Sequence, residues 1–132
     1  MAYLLDTDTC VFIMKKMSLV HEKFESANPN LLFVSSISVA ELEYGVTKSK
    51  LTERNSKNLS DFLSRLKVVN FNSKAAKQYG TIRVLLERKG ELIGGNDLLI
   101  ASIAKSQDLT LVTNNEKEFS RVEDLKIENW TK

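Results

Sequence analysis

Four short apolar runs, separated by stretches of helical periodicity, constrain this chain more than any other feature. They are Tyr3–Leu5, Leu31–Val34, Val68 with Val69 and Phe71, and Leu109–Val112. Runs of three or four apolar residues have strand length, not the length of a buried helix. Between them the spacing changes. Thr7, Asp8 and Thr9 offer N-caps for a helix to about Lys16, and Ser18 caps a short one with Val20 and Phe24 on one face. Turn chemistry at Asn28-Pro29-Asn30 ends that helix. Ser38 starts a helix carrying Val39, Leu42 and Val46, which Gly45 weakens without ending. Residues 51–66 read as a helix with Leu59, Phe62, Leu63 and Leu66 as its apolar face. Ser73 starts a long helix with a stripe of Ala75, Ala76, Tyr79, Ile82, Leu85 and Leu86, stopped by Gly90. Another helix starts at Asp97, a short one carries Glu118 and Phe119, and Leu125 to Ile127 reads as a last strand.

This alternation predicts an α/β domain built on a mainly parallel sheet. A length of 132 residues, 42% of them hydrophobic, suits one domain over 1–132 with a continuous core. One proline and five glycines leave no long flexible linker.

The rarest residues exclude whole chemistries. Cys10 is the sole cysteine and His21 the sole histidine. No intramolecular disulfide, Cys/His zinc site or two-histidine ribonuclease is possible. Cys10 lies in the apolar run to Met14 and reads as a buried core thiol, and His21, among Glu22, Lys23 and Glu25, reads as a surface residue. A net charge of +2 permits a nucleic-acid partner without requiring one. The start MAYLLDTDTC has no basic segment before its first acid, and no apolar run approaches the roughly 20 residues of a membrane span, so the expected compartment is the cytoplasm.

The acids are informative by position. Ligands of open parallel sheets bind beyond the carboxyl ends of the strands. Asp6 ends the first strand, Glu41 lies one turn into the helix after the second, Asp97 follows a glycine pair, and Glu118 follows the Leu109–Val112 strand. Gathered carboxylates repel unless protonated or neutralised by a cation. Magnesium takes oxygen ligands, keeps several waters, and suits in-line phosphoryl displacement. Each acid also has a structural reading. Asp6 and Asp97 can cap helices, and Glu41 and Glu118 stand at capping-box spacing from Ser38 and Asn115. Asp8 reads as an N-cap or an outer acid, and Thr113 and Asn115 as supports for a ligand carboxylate or as a strand-end turn. Lys15, Lys16, Lys48, Lys50, Arg54, Arg83, Arg88 and Lys89 are available to phosphate groups.

The segments LLDTDTC, SVAELEYG around Glu41, GGNDLLIASIA around Asp97, and LVTNNEKEFSRV followed by ENW together resemble the PIN-domain family. Within it they resemble VapC-type toxins of type II toxin–antitoxin modules, in the branch that cleaves initiator tRNA. The likeness runs from Tyr3 to Trp130. It implies a PIN-like three-layer α/β/α sandwich and an endoribonuclease dependent on Mg2+ or Mn2+. It maps the family's acids onto Asp6, Glu41, Asp97 and Glu118, with Asp6 and Asp97 as the metal ligands. It further implies a VapB-like antitoxin that masks the site with its C-terminal tail, a homodimer, and a toxin–antitoxin complex that binds operator DNA through the antitoxin. Two departures stand out. The chain has Asp6-Thr7-Asp8 where relatives read Asp-Thr-Asn, and it has Asn115 where many relatives carry an aspartate.

Two other readings follow from the same acids. A receiver-like phosphoacceptor domain also places acids and magnesium at strand ends, but needs an aspartate at the end of strand three, where this chain has Phe71-Asn72. A non-catalytic RNA-binding module would use the basic residues and leave the acids as caps.

Overall fold

The computed structural model describes residues 1–132 and contains five strands, all parallel. They are β1 (Tyr3–Leu5), β2 (Leu32–Ser35), β3 (Lys67–Val69), β4 (Thr110–Val112) and β5 (Ile127–Glu128), in the order β3-β2-β1-β4-β5. The connecting helices are α1 (Thr7–Met14), α2 (Ser18–Ser26), α3 (Ser36–Lys48), α4 (Thr52–Leu63), α5 (Ser73–Lys89), α6 (Gly95–Gln107) and α7 (Glu116–Phe119).

Side-chain alternation along β1 divides the core into two layers. Leu4 and its partner Leu111 join Ile82, Leu86, Ile100, Ile103 and Phe119 on one face. Leu5, with partners Val34 and Val112, joins Cys10, Phe24, Leu59, Phe62 and Trp130 on the other. Helices therefore cover both faces, and the chain is the α/β/α sandwich expected from its pattern. Cys10 is fully buried, as expected, and burial pushes its thiol pKa up.

The order reverses at β1. Chain connections leave it toward β2 on one side and return to β4 on the other, which opens a crevice at the carboxyl ends of β1 and β4. This order also removes the receiver-like reading, because receiver sheets run 2-1-3-4-5. β3 ends at Val69, and Asn70 follows it, not an aspartate.

Several boundaries differ from the sequence expectation. β2 continues to Ser35, whose hydroxyl caps α3 by accepting from Ser38 N at 3.0 Å. The helix thus starts before Ser38, and Glu41 lies beyond the capping-box position. α1 stops at Met14 and α4 at Leu63, and the last strand begins at Ile127. The stripe of α5 is narrower than expected, since Ala76 and Leu85 are exposed while Ala75, Ile82 and Leu86 are buried. His21 is only half exposed, and its Nδ1 is buried without a hydrogen-bond partner. Gly90 ends α5 with φ 67°, a left-handed conformation that a glycine adopts without strain. No helix is long and apolar enough to cross a membrane.

Candidate active site

Asp6 sits at the crevice because β1 ends there. It is the N-cap of α1, accepting from Thr9 N at 2.9 Å, and its own N–H donates to Val112 O of β4 at 3.0 Å. The capping role expected of Asp8 therefore falls to Asp6. Asp8 is exposed in the first turn of α1, and its charge acts on Asp6. Burial raises the Asp6 carboxyl above its ordinary value, against hydrogen bonds from Thr113 and Thr9. Thr113, fully buried at the end of β4, also accepts from Asn115 N at 2.9 Å.

Asp97 lies in the first turn of α6, whose N-cap is Gly94, so Asp97 is not itself a cap. Burial pushes its carboxyl up to about 7, with the charges of Glu118, Asp6 and Glu41 adding to the shift. The charges acting on Asp97 place all four acids in one electrostatic neighbourhood.

Glu118 does not close a capping box. Its Oε1 accepts from Gly94 N at 2.8 Å and its Oε2 from Asn115 Nδ2 at 2.8 Å. Those bonds hold its carboxyl below the usual range and tie α7 to the turn before α6. A Cβ on Gly94 would meet Glu118 Oε1 at 3.6 Å and Asp97 Oδ2 at 3.8 Å, which is ordinary contact, and nothing crowds Gly95. The glycine pair is thus not forced by close packing.

Glu41 enters from α3. Its Oε1 accepts from Thr7 Oγ1 at 2.6 Å. Thr7 was expected only as a cap for α1, and the pattern held one clue to this second role, namely a hydroxyl directly after the strand-ending acid.

None of the four acids pairs with a lysine or arginine within 4 Å. Arg121, beyond that distance, is the cation that acts on the cluster, through Glu118. No three acid, His or Cys side chains converge into a closed chelate. Asp6 and Asp97, two carboxylates with no ion-paired lysine or arginine, could hold magnesium, which binds through one or two carboxylates and retains water.

Comparison with known proteins settles the family. The PIN domain model matches residues 3–125. The chain belongs to the PIN-domain family. This PIN domain is 48% identical over 134 residues to "Ribonuclease VapC2" of Rickettsia felis, with all of both chains covered. It is 42% identical over 129 residues to "tRNA(fMet)-specific endonuclease VapC" of Salmonella typhimurium, covering 97% of each. Its fold superposes on VapBC2 from Rickettsia felis bound to a promoter DNA fragment with TM-score 0.92 and 46% identity, over 98% of this chain and 99% of that one. For DNA-bound VapBC from Salmonella typhimurium the TM-score is 0.93 at 40% identity, covering 98% of each chain.

The charge balance of the cluster has a measurable consequence. Folded Asp97 binds its proton more tightly than the unfolded chain does, so its contribution favours folding at low pH. That contribution is lost as pH rises from 3.8 through about 7, and Asp6 acts in the same direction. Glu118, shifted down, acts the opposite way. After discounting for the solvent screening of a half-buried group, the Asp97 effect is on the order of 1–2 kcal/mol. In EDTA, the melting temperature should fall between pH 5 and pH 8, and Asp97→Asn should flatten that slope. Equal slopes for the two proteins would show that folding does not raise the Asp97 carboxyl.

Proposed function

We propose that this PIN domain is the ribonuclease toxin of a toxin–antitoxin pair, hydrolysing initiator tRNA in the anticodon stem-loop and so inhibiting translation. The observation that carries the mechanism is the four-acid cluster at the β1/β4 switch point, none of whose acids is ion-paired to a lysine or arginine. Asp6 and Asp97 are the residues that would hold Mg2+ or Mn2+. When bound, such an ion neutralises the cluster and gives a scissile phosphate oxygen an electrophilic partner. Glu41, aimed by Thr7, accepts a proton from the attacking water. The water oxygen adds to phosphorus and the bond to the 3′ oxygen breaks; that oxygen takes a proton from solvent, leaving a 5′-phosphate and a 3′-hydroxyl, and Glu41 returns its proton to solvent. Glu118 and Asn115 brace the Gly94 turn and so fix the start of α6, and Thr113 holds Asp6.

A groove of about 980 Å³ opens beside Thr7 and Glu41. Its floor includes Val11, Phe24, Leu42 and Phe62, and Lys15, Lys16 and Arg54 stand on its rim. The basic rim suits phosphates of the tRNA. The apolar floor suits a segment of a VapB-like antitoxin, which would mask the site and tether the toxin to operator DNA. Homodimerisation is part of the same proposal, through the exposed Val84, Leu85 and Leu92. In contrast, Arg83 is committed within α5 to Tyr79 and Glu87.

Chelation tests the metal requirement. EDTA should reduce tRNA cleavage to background, and Mg2+ or Mn2+ in excess should restore it. Undiminished cleavage in EDTA would remove the cation from the mechanism. Binding of tRNA without cleavage under any divalent ion would favour the non-catalytic RNA-binding module.

A further inference from the structure

We infer that Thr7 and Ser38, backed by Ser35, form a one-way chain of hydroxyl protons that aims Glu41, which makes Thr7 and Ser38 positioning residues for the cleavage reaction. The inference rests on the proposed role of Glu41. Thr7 Oγ1 lies 2.6 Å from Glu41 Oε1 and 2.9 Å from Ser38 Oγ, and Ser38 Oγ lies 3.3 Å from Ser35 Oγ. Each hydroxyl has a single proton, and an ionised carboxylate only accepts. Thr7 therefore gives its proton to Glu41. Its oxygen must then accept from Ser38, and the Ser38 oxygen in turn accepts from Ser35. The Ser35 oxygen completes the chain by accepting from Ser38 N at 3.0 Å.

The carboxylate sets the direction, and the backbone N–H at the far end is compatible with it. At one end is a carboxylate that cannot donate, and at the other a backbone N–H that cannot accept. Ser35 and Ser38 are fully buried, so water does not compete for their protons. Hydrogen bonds aligned head to tail polarise one another, which strengthens the terminal bond to the carboxylate. The 3.3 Å link is the long one, so Thr7 and Ser38 carry most of the effect.

The chain joins the start of α1 to α3 across 34 residues of sequence. Glutamate is long and flexible, and this bond fixes one of its two carboxylate oxygens. The other, Oε2, has no protein donor, and Glu41 lines the open groove together with Thr7. That is the arrangement a proton acceptor needs: one oxygen held and one free. Helix capping does not account for the Ser38 hydroxyl, because the cap bond uses Ser38 N and Ser35 Oγ.

The test compares Thr7→Val, Thr7→Ser and Ser38→Ala in the full chain, each alone and with Glu41→Ala, on a tRNA anticodon stem-loop. Thr7→Val should lower kcat about 10–100-fold, the usual effect of losing a group that orients a metal-site residue, with KM within about twofold. Thr7→Ser should recover to within about threefold of the parent, and Ser38→Ala should lower kcat roughly 3–10-fold. In the Glu41→Ala background Thr7→Val should add less than about twofold, the non-additivity of residues acting as one unit. In metal-free protein, NMR at low temperature should show a slowly exchanging Thr7 hydroxyl proton that Glu41→Ala removes. Parental kcat in Thr7→Val, an undiminished effect without Glu41, no recovery by Thr7→Ser, or absence of that resonance would each overturn the chain. Parental cleavage by Glu41→Ala would instead overturn the catalytic reading of Glu41 itself.

Discussion

Asp97→Asn should reduce RNA cleavage by about a thousandfold, equivalent to roughly 4 kcal/mol of barrier. Asparagine keeps the size of the side chain and its place in the first turn of α6, so the fold should be retained. What it removes is the charge that a divalent cation would meet at this position. The same substitution should raise the metal-free melting temperature at pH 8, because burial and then the charges of Glu118, Asp6 and Glu41 disfavour Asp97 as a charged group. Opposite signs for activity and stability distinguish a functional carboxylate from a structural cap. If Asp97 were a cap, its loss would lower stability. Kinetics and thermal melting on the same preparation decide between the two. A variant that loses stability and keeps activity would contradict the assignment.

Phe119→Ala should destabilise the protein by about 3–5 kcal/mol and lower its melting temperature by roughly 10 °C or more. Phe119 is 1% exposed and lies in the core cluster that includes Leu4 and Leu111. It is also the residue that anchors α7, which has only four residues and cannot persist as an isolated helix. The neighbouring Glu118 reaches Gly94 from that anchor, so the loss should extend to catalysis at temperatures where the remaining fold is intact. Phe119→Leu should cost about 1 kcal/mol and keep most activity. Thermal denaturation followed by circular dichroism gives the comparison. A loss under about 1 kcal/mol for Phe119→Ala would mean that packing does not hold α7 in place.

The layered fold was readable because its signals are local. Leu4 and Leu5, adjacent in sequence, necessarily face opposite sides of a strand, and each belongs to its own core layer. Gly90 marked the end of α5 and Gly45 did not break α3, both as their intrinsic preferences suggest. Caps were less legible. Ser35, Ser36 and Ser38 all offer a hydroxyl near the start of α3, and only the length of β2 selects Ser35. For the same reason the capping-box reading of Glu41 fails: its partner is Thr7, 34 residues away. Of the site, the positions of Asp6 and Asp97 at strand end and helix start could be read from pattern. The raised pKa of Asp97 could not, since it comes from burial and from charges just after β1 and on α3 and α7 that only the sheet order brings together. The bond from Gly94 N to Glu118 was equally invisible, being a backbone donor 24 residues from its acceptor.

The most direct test of the central claim, that the acid cluster is a cation-requiring hydrolytic centre, is end-group analysis of initiator tRNA cleaved by the purified chain with Mg2+ and with EDTA. The account predicts 5′-phosphate and 3′-hydroxyl ends with Mg2+, no products in EDTA, and no products above background from Asp97→Asn. Products ending in a 2′,3′-cyclic phosphate, formed equally in EDTA, would contradict it, because attack by the RNA's own 2′-hydroxyl requires neither the water nor the ion that this cluster would hold.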